Sequence, residues 1–300
     1  MKPDFICIGA QKAGTSWLYE RLSEHPAFSM LPVKELHYFD RSTEYQTLDF
    51  LAKTRLIDRL KEPKYAARAV KRILRSRDRQ EARWWARFYF SNYSDRWYKS
   101  LFARTTGLTG DITPGYAILE SEDVTRLHAV APDAKIVLML RNPIDRAWSM
   151  FRFMAKRGGP TDLNDYSLFQ AFVTAPAQTL RSDYIRTIDL YRKHFDSSAM
   201  LIGFYDAIAE QPGTLFSAIT RYLGADEAGD TINLRQVTNR SLQADMPHAH
   251  HAFLIEMYRG VVEELADRYG GYAARWAASI SGPTDEGTGS ASLPTPVTYA

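Results

Sequence analysis

The segment Gly9–Ser16 (GAQKAGTS) constrains the fold of this chain most, because it joins an apolar run to an amphipathic one. The run Phe5–Ile8 is typical of a short buried strand. Residues 15–24 carry apolar side chains at helical spacing, and His25-Pro26 ends that pattern. Glycine lets backbone N–H groups approach a ligand closely, and a helix N-terminus attracts negative charge. The sequence therefore predicts a strand, a loop that binds an anion, and a helix.

Two further apolar runs, Lys135–Leu140 and Met200–Phe204, predict strands that are covered on both faces. Helical patterns separate these runs, and one helix is predicted to begin at Asn142-Pro143, because Asn is a good N-cap and Pro suits the first helical position. Strands that alternate with helices predict an α/β domain with a central, mostly parallel sheet. We expect one such domain over residues 1–280. A disordered tail is expected at 281–300, where Ser, Thr, Gly and Pro dominate.

Residues 53–87 are strongly basic, with 13 Lys and Arg against four acidic residues, whereas the whole chain has a net charge of only +3. They belong to a predicted helical insertion at about 43–103, whose aromatic residues cluster within 84–98. One interpretation is a protein that binds nucleic acid or an anionic surface by charge and stacking through residues 53–98. The helical spacing of the aromatic residues favours the other interpretation, in which their rings pack in the core beneath a solvated basic face.

The single cysteine, Cys7, excludes an internal disulfide and a cysteine-based zinc site. No apolar run approaches the ~20 residues of a membrane-spanning helix, and no secretory leader pattern is present. These patterns predict a cytoplasmic protein without a membrane span. His248, His250 and His251 have no accompanying carboxylate or cysteine pattern, so the sequence assigns no metal site.

The position of Lys12 distinguishes the first loop from a P-loop, in which Lys directly follows the second glycine and Ser or Thr then binds magnesium. Here Thr15 takes the place of that lysine, and Lys12 lies within the loop. Arg141 ends a predicted strand at the place where many P-loop NTPases carry a metal-binding Asp. The loop therefore favours an anionic nucleotide bound without magnesium, over a P-loop nucleotide kinase or a turn that binds nothing.

Arg141 and Ser149 define a second candidate anion site. Arg141 stands at the carboxyl end of a predicted strand, where open α/β sheets bind ligands. Ser149 follows Asn142 by seven residues, which is about two helical turns and places both on one side of the helix. Such a pair suits a 3′-phosphate. The alternative, an arginine at a sheet edge and an exposed serine, stays open on these residues alone.

Together these motifs resemble those of the sulfotransferases that use 3′-phosphoadenosine 5′-phosphosulfate (PAPS), especially bacterial members and the domains that act on heparan sulfate. The family's 5′-phosphosulfate loop is similar to Gly9–Trp17, and its 3′-phosphate motif is similar to Leu140–Phe151. The family segment with a catalytic glutamate resembles Lys34–Asp40, and a further family motif resembles Gly110–Tyr116. The resemblance is ordered over roughly residues 3–280. It implies an α/β fold, a P-loop-like three-layer sandwich with a central, mostly parallel sheet and helices on both faces.

The resemblance also implies roles for individual residues. Lys12 is expected to contact the 5′-phosphosulfate and its bridging oxygen and so to stabilise the leaving phosphate. Glu35 is expected to be the general base, with His37 beside it as a further catalytic residue whose role, catalytic or orienting, stays open. The aromatic residues Tyr38 and Phe39 near Glu35 predict partial desolvation and hence a raised Glu35 pKa. The donor-binding residues that the resemblance implies are Gln11, Lys12, Ala13, Gly14, Thr15, Ser16, Trp17, Arg141, Ser149, Arg240 and Ser241.

The implied reaction is in-line transfer of a sulfuryl group from PAPS to a hydroxyl or amine of a small-molecule or carbohydrate acceptor. The product would be adenosine 3′,5′-bisphosphate (PAP), and neither a metal nor a nucleic-acid partner is expected; the oligomeric state stays open. Two features depart from the family pattern. Ile112 stands where some members have lysine, and the glycine of the family's C-terminal loop is absent near Thr238–Pro247, where Arg240 and Ser241 are placed.

Overall fold

A computed structural model of the chain describes residues 2–41, 53–103, 106–159, 162–226, 232–235, 244–281 and 292–300. Its centre is a five-stranded sheet with the strand order β2-β1-β3-β4-β5. The strands are β1 (Phe5–Gly9), β2 (Gly110–Ile112), β3 (Lys135–Leu140), β4 (Met200–Phe204) and β5 (Val297–Tyr299). The first four strands are mutually parallel, and β5 pairs antiparallel with β4. This sheet confirms the expected α/β architecture.

The strand β5 corrects the prediction of a disordered tail over residues 281–300 at its far end, whereas positions 282–291 lie outside the described residues. Val297 pairs with Gly203, and Tyr299 pairs with Leu201, so the last residues of the chain cover the edge of β4. The prediction failed because the tail has few apolar residues, whereas an edge strand is stabilised by backbone pairing with a distant strand rather than by its own burial.

Helices surround the sheet. They are α1 (Thr15–Glu24), α2 (Leu56–Leu60), α3 (Tyr65–Leu74), α4 (Arg79–Tyr89), α5 (Asp95–Leu101), α6 (Ser121–Val130), α7 (Pro143–Lys156), α8 (Tyr166–Val173), α9 (Pro176–Leu180), α10 (Tyr184–Arg192), α11 (Asp206–Glu210), α12 (Pro212–Leu223), α13 (His248–Tyr269) and α14 (Gly271–Ser281). The predicted start of α7 is confirmed: the Asn142 side chain accepts a hydrogen bond from the Ile144 N–H at 3.0 Å, and Pro143 is the first helical residue.

The predicted insertion at 43–103 contains α2, α3, α4 and α5, and positions 43–52 lie outside the described residues. Seven of its aromatic side chains are at most 8% exposed: Trp84, Trp85, Phe88, Tyr89, Tyr93, Trp97 and Tyr98. They pack as one ring cluster, in which Tyr93 and Trp97 stack with their ring centroids 4.0 Å apart. These seven rings therefore belong to the core, as their helical spacing favours, whereas Phe90 is 40% exposed.

The carboxyl ends of β1, β2, β3 and β4 meet at one edge of the sheet, because these strands are parallel. Backbone hydrogen bonds tie the segments that follow them together: the Ala10 N–H donates to the Met139 carbonyl at 2.7 Å, and the Tyr205 N–H donates to the Leu140 carbonyl at 2.8 Å. The first loop, the residue after β3 and the residue after β4 are consequently neighbours.

Candidate functional site

The loop between β1 and α1 has a backbone conformation that only glycine adopts easily at one position. Gly14 has a φ of 88° and is the N-cap of α1. A Cβ at this position would lie 2.3 Å from Ile208 Cδ1 and 3.2 Å from Tyr205 Cδ2. Because Gly14 offers no capping side chain, the first N–H groups of α1, at Thr15 and Ser16, face the loop without a side-chain cap. A helix N-terminus of this kind attracts an anion.

The Arg141 guanidinium lies at the mouth of this loop. Its Nη1 donates to the Lys12 carbonyl at 3.2 Å, and its Cζ lies 4.4 Å from the centroid of the Tyr205 ring. The Tyr184 hydroxyl donates to the Arg141 carbonyl at 2.9 Å and so fixes the backbone of this residue. The Nε of Arg141 is buried and has no hydrogen-bond partner among the described residues. The structure thus joins the two candidate anion sites that the sequence places 129 residues apart.

Lys12 lies at the centre of a cluster of cations. Its Nζ lies 4.3 Å from the centroid of the Phe153 ring, and the Arg157 Cζ lies 4.4 Å from the same centroid. Burial and the neighbouring charges of Arg141, Arg152, Arg157 and Lys34 lower the pKa of Lys12 to about 8. Within the described ranges no carboxylate pairs with the side chains of Lys12, Arg141 or Arg157. Three neighbouring cations without a carboxylate partner among the described residues are characteristic of a site for a multiply charged anion.

The other predicted donor-binding residues differ in their burial and position. Thr15 and Ser149 are buried, at 4% and 2% exposure, and Ala13 is fully buried in the core. The Gln11 Oε1 is buried without a hydrogen-bond partner in the part of the chain that the structure describes. Trp17 turns away from the loop. Arg240 and Ser241 lie outside the described residues.

The side chain of Trp17 anchors a neighbouring segment. Its indole N–H donates to the Leu234 carbonyl at 3.0 Å, and its ring meets the Phe216 ring edge to face at 6.0 Å. This leaves only the backbone of Trp17 for ligand contacts. The indole instead holds residues 232–235 against α1, just before the region where Arg240 and Ser241 are placed by resemblance.

Glu35 and His37 lie at the end of β2, next to Asp40. The Glu35 N–H donates to the Ile112 carbonyl at 3.1 Å, which fixes the segment to the sheet. The Glu35 carboxylate pairs with the Lys34 ammonium and lies 3.4 Å from His37 Nε2, while His37 Nδ1 lies 2.6 Å from Asp40 Oδ2. Glu35 and His37 have φ values of 68° and 48°, which L-residues adopt rarely. These two left-handed turns place an imidazole between two carboxylates.

The prediction that partial desolvation raises the Glu35 pKa is wrong. Burial does oppose ionisation, but hydrogen bonds with His37 and the charge of Lys34 outweigh it and lower the pKa of Glu35 to about 2. Burial likewise opposes protonation of His37, yet hydrogen bonds with Asp40 and Glu35 raise its pKa to about 9. At neutral pH the site therefore contains an ionised carboxylate held by an imidazolium and an ammonium.

The Gly110–Tyr116 motif packs against the segment that contains Glu35, His37 and Asp40. A Cβ on Gly115 would lie 2.4 Å from Asp40 Oδ2 and 3.4 Å from His37 Cε1, so glycine is required for this close approach. The buried carboxylate of Asp111 accepts hydrogen bonds from Thr113, Tyr98 and Tyr116 at 2.7–3.0 Å. The motif thus forms the hydrogen-bonded surface against which the segment containing Glu35 packs.

Sequence reasoning quoted Lys34, Asp40 and Gly115 only as parts of motifs and assigned them no role, and it missed Arg152, Phe153 and Arg157. The signal for Arg152 and Phe153 was present, since they follow Ser149 by three and four residues and share its side of α7. The signal for Asp40 was its position three residues after His37, because this spacing allows the 2.6 Å contact between the two side chains.

Among the described residues no group of three or more His, Cys, Asp or Glu side chains is arranged to hold a metal ion. None of the described helices is long and apolar enough to cross a bilayer. The metal-free reaction and the cytoplasmic location expected from the sequence remain predictions.

Comparison with known proteins identifies the family. Residues 3–228 match the profile described as "Sulfotransferase family". The chain belongs to the sulfotransferase family. This confirms the resemblance seen in the motifs, and the matched range includes the loop, Glu35, Arg141 and Ser149.

Curated sulfotransferase relatives are distant and mostly longer. The human bifunctional heparan sulfate N-deacetylase/N-sulfotransferase 2 is 24% identical over 242 residues, which cover 74% of this chain and 22% of that protein. The human heparan sulfate glucosamine 3-O-sulfotransferase 6 is 26% identical over 230 residues, covering 74% of this chain and 52% of that protein. The matches thus span about a fifth to about half of these relatives.

Solved sulfotransferase structures share the fold. A sulfotransferase from Alicyclobacillus acidocaldarius superposes with a TM-score of 0.58 at 21% identity, over 89% of this chain and 95% of that one. The sulfotransferase domain from the curacin biosynthetic pathway has a TM-score of 0.52 at 14% identity, over 94% of this chain and 98% of that one. These likenesses confirm the expected P-loop-like architecture.

Proposed function

We propose that this sulfotransferase moves a sulfuryl group from PAPS to a hydroxyl or amine of a small-molecule or carbohydrate acceptor by in-line displacement. The observation that supports this most is the position of the Arg141 guanidinium, 3.2 Å from the Lys12 carbonyl, in a cluster of cations. A donor with negative charge at both its 5′ and 3′ ends matches two neighbouring cationic groups.

The residues of the cluster fit such a donor. The loop N–H groups, Lys12, Thr15 and Ser16 would hold the 5′-phosphosulfate at the N-terminus of α1. Arg141 and Ser149 would hold the 3′-phosphate, and the buried Nε of Arg141 has no partner among the described residues that competes for this guanidinium. When bound, PAPS supplies the sulfuryl group and a phosphate leaving group. We assign Arg240 and Ser241 to closure over the 3′-phosphate by resemblance alone.

Lys12 would stabilise the charge that develops on the leaving phosphate. Its pKa of about 8 leaves most of it protonated at neutral pH. Its ammonium lies against the Phe153 ring, which holds it in place without neutralising it. A fixed cation in a half-buried site stabilises such charge more than one in water does.

Glu35 would receive the proton of the acceptor, and His37 would hold the Glu35 carboxylate in position. A carboxylate with a pKa of about 2 is ionised throughout the neutral range, so it is ready to accept a hydrogen bond from a hydroxyl. A His37 imidazolium with a pKa of about 9 is already protonated and therefore cannot act as a base at neutral pH. Its contacts with Asp40 and Glu35 give it an orienting role.

The acceptor class is supported only by analogy and by what the fold excludes. Two of the relatives are named for heparan sulfate, which supports a carbohydrate among the candidates. The burial of the aromatic cluster within residues 84–98 argues against a nucleic-acid partner.

The test is transfer of a labelled sulfuryl group from PAPS across a panel of phenols, sugars, amines and lipids, in EDTA and with Lys12→Ala as the control variant. The proposal expects transfer to at least one class by the native protein, and transfer about 10²- to 10³-fold slower by the variant. Transfer that requires magnesium, or a preference for ATP as donor, would favour a nucleotide kinase instead.

Binding of PAP is expected to take up a proton at alkaline pH. The free protein has a Lys12 pKa of about 8, and a bound phosphate raises it, so uptake is small at pH 6.5 and approaches one proton near pH 9. PAP affinity consequently falls as the pH rises through 8. Calorimetric titrations in buffers of different ionisation enthalpy measure the uptake, and Lys12→Met removes it. Uptake at pH 9 that persists in Lys12→Met would assign the proton to another group.

A further inference from the structure

A cavity of about 610 Å³ lies between residues 29–32, the helix α4 and the residues Leu101, Ala103 and Thr106. Its volume is within the range of sites that enclose small organic molecules. The cavity is separate from the Lys12 cluster, because no residue of that cluster lines it.

One side of the cavity is apolar. Met30, Leu31 and Pro32 line it, together with Trp84 and Leu101. Leu31, Trp84 and Leu101 are at most 8% exposed, and the Trp84 indole N–H is already used, because it donates to the Leu101 carbonyl at 3.0 Å. This wall therefore offers apolar contact and no free polar group of Trp84.

The helix α4 adds a row of arginines to the lining of the cavity. Arg79, Arg83 and Arg87 stand at intervals of four residues on α4, so all three project from one face of that helix toward the cavity. Arg87 donates to the Ser100 carbonyl at 2.7 Å. Arg79 and Arg83 are exposed and pair with no carboxylate in the described ranges. They are available to an anionic ligand.

The two acidic residues at the cavity are already engaged. Asp78 caps α4 by accepting hydrogen bonds from the N–H groups of Gln80 and Glu81. The Glu81 carboxylate accepts hydrogen bonds from Arg77 at 3.0 Å and from the Trp85 indole at 3.2 Å. The charge left for a ligand is therefore positive.

The apolar wall is close in sequence to the proposed base, Glu35. Pro32 precedes Glu35 by three residues, and three residues of chain span at most about 11 Å. Both ends of this stretch are fixed, since the Tyr19 hydroxyl donates to the Leu31 carbonyl at 2.6 Å and the Glu35 N–H donates to the Ile112 carbonyl. The backbone of Pro32, which lines the cavity, thus lies within about 11 Å of the backbone of Glu35.

We propose that this cavity binds the acceptor, and that the acceptor is a small organic anion whose apolar body contacts Leu31 and Leu101 while its carboxylate, sulfate or phosphate group contacts Arg79 and Arg83. The acceptor role rests on the proposed sulfuryl transfer, whereas the binding site itself does not. The site selects for a charged group at one end of the acceptor and a hydroxyl or amine at the other.

The test compares 6-hydroxy-2-naphthalenesulfonate with 2-naphthol, which share the ring and hydroxyl and differ in the sulfonate. Calorimetry on the full chain saturated with PAP is expected to show the sulfonate binding at least about tenfold more tightly, the equivalent of one charge-assisted contact. The double variant Arg79→Ala/Arg83→Ala is expected to reduce this preference to about twofold or less. The matched control Arg75→Ala removes an exposed arginine of the same basic region that does not line the cavity, and is expected to keep the preference.

Equal affinity for the two probes, or equal loss of preference in Arg75→Ala, would overturn the proposal. Displacement of the sulfonate by PAP would also overturn it, because the probe would then occupy the Lys12 cluster. Lys12→Ala separates the two hypotheses: it is expected to lose PAP affinity and to keep the probe preference. If PAP does not bind the native protein and the probe preference persists, the donor assignment fails while the cavity stands as a site for organic anions.

Discussion

Replacing Glu35 with glutamine is expected to lower turnover about 10²- to 10⁴-fold and to change PAP affinity by less than about threefold. Glutamine keeps the size of the side chain but cannot accept a proton from the acceptor. The effect is confined to transfer because Glu35 contacts Lys34 and His37 rather than the Lys12 loop. Single-turnover transfer and PAP titration measure the two quantities separately.

A loss of turnover in Glu35→Gln that results from reduced stability can be distinguished from a loss of the base. The lowered Glu35 pKa contributes stability that is present above the ordinary glutamate pKa and is lost as the pH falls toward 2, so the variant is also expected to be less stable at neutral pH. Its melting temperature must therefore be measured, and the assay must be run well below it. Glu122→Gln, on an exposed part of α6, serves as the control and should leave turnover unchanged. Native turnover in a folded Glu35→Gln protein would remove Glu35 from the mechanism.

Replacing Lys12 with alanine is expected to lower turnover about 10²- to 10³-fold, the usual cost of removing one preorganised group that stabilises developing charge. PAP affinity should fall as well, because Lys12 is the cation within the loop itself. Lys12→Arg keeps the charge and is expected to retain PAP affinity better than turnover, since the longer guanidinium spreads its charge over a plane and does not reproduce the compact point charge of the ammonium.

The control for Lys12 is Lys193→Ala, an exposed lysine at the end of α10 far along the chain from the loop. It removes one positive charge, as Lys12→Ala does, and should change neither turnover nor PAP affinity. If Lys12→Ala turns over at the native rate, the leaving phosphate is stabilised by Arg141 or Arg157 instead, and the role assigned to the loop lysine is wrong.

The strand, loop and helix at Phe5–Glu24 could be predicted from sequence because their signals are local. A run of four apolar residues, two glycines and a helical period all fall within a single stretch of chain, and α1 spans the predicted residues. Arg141 could be placed near the loop for a related reason, since parallel strands bring their carboxyl ends to one edge. Its contact with the Lys12 carbonyl follows from that topology.

The protonation states of the site could not be predicted in the same way. The neighbours Tyr38 and Phe39 indicate desolvation of Glu35, but the opposing effect comes from left-handed turns at Glu35 and His37, which sequence rules do not anticipate for non-glycine residues. The cations Arg152 and Arg157 were missed because a helical pattern does not say which neighbour its polar face meets. The strand β5 was missed because its partner, β4, lies about 95 residues earlier in the chain.

Binding of the 3′-phosphate by Arg141 is tested by a cycle of four affinities: PAP and adenosine 5′-monophosphate, each titrated in EDTA against the native protein and Arg141→Ala. The two nucleotides differ only in the 3′-phosphate. If Arg141 binds that phosphate beside the Lys12 loop, the native protein prefers PAP by about 100-fold or more, and the variant shows little preference. An unchanged preference in Arg141→Ala, or no PAP binding without magnesium, would contradict the account.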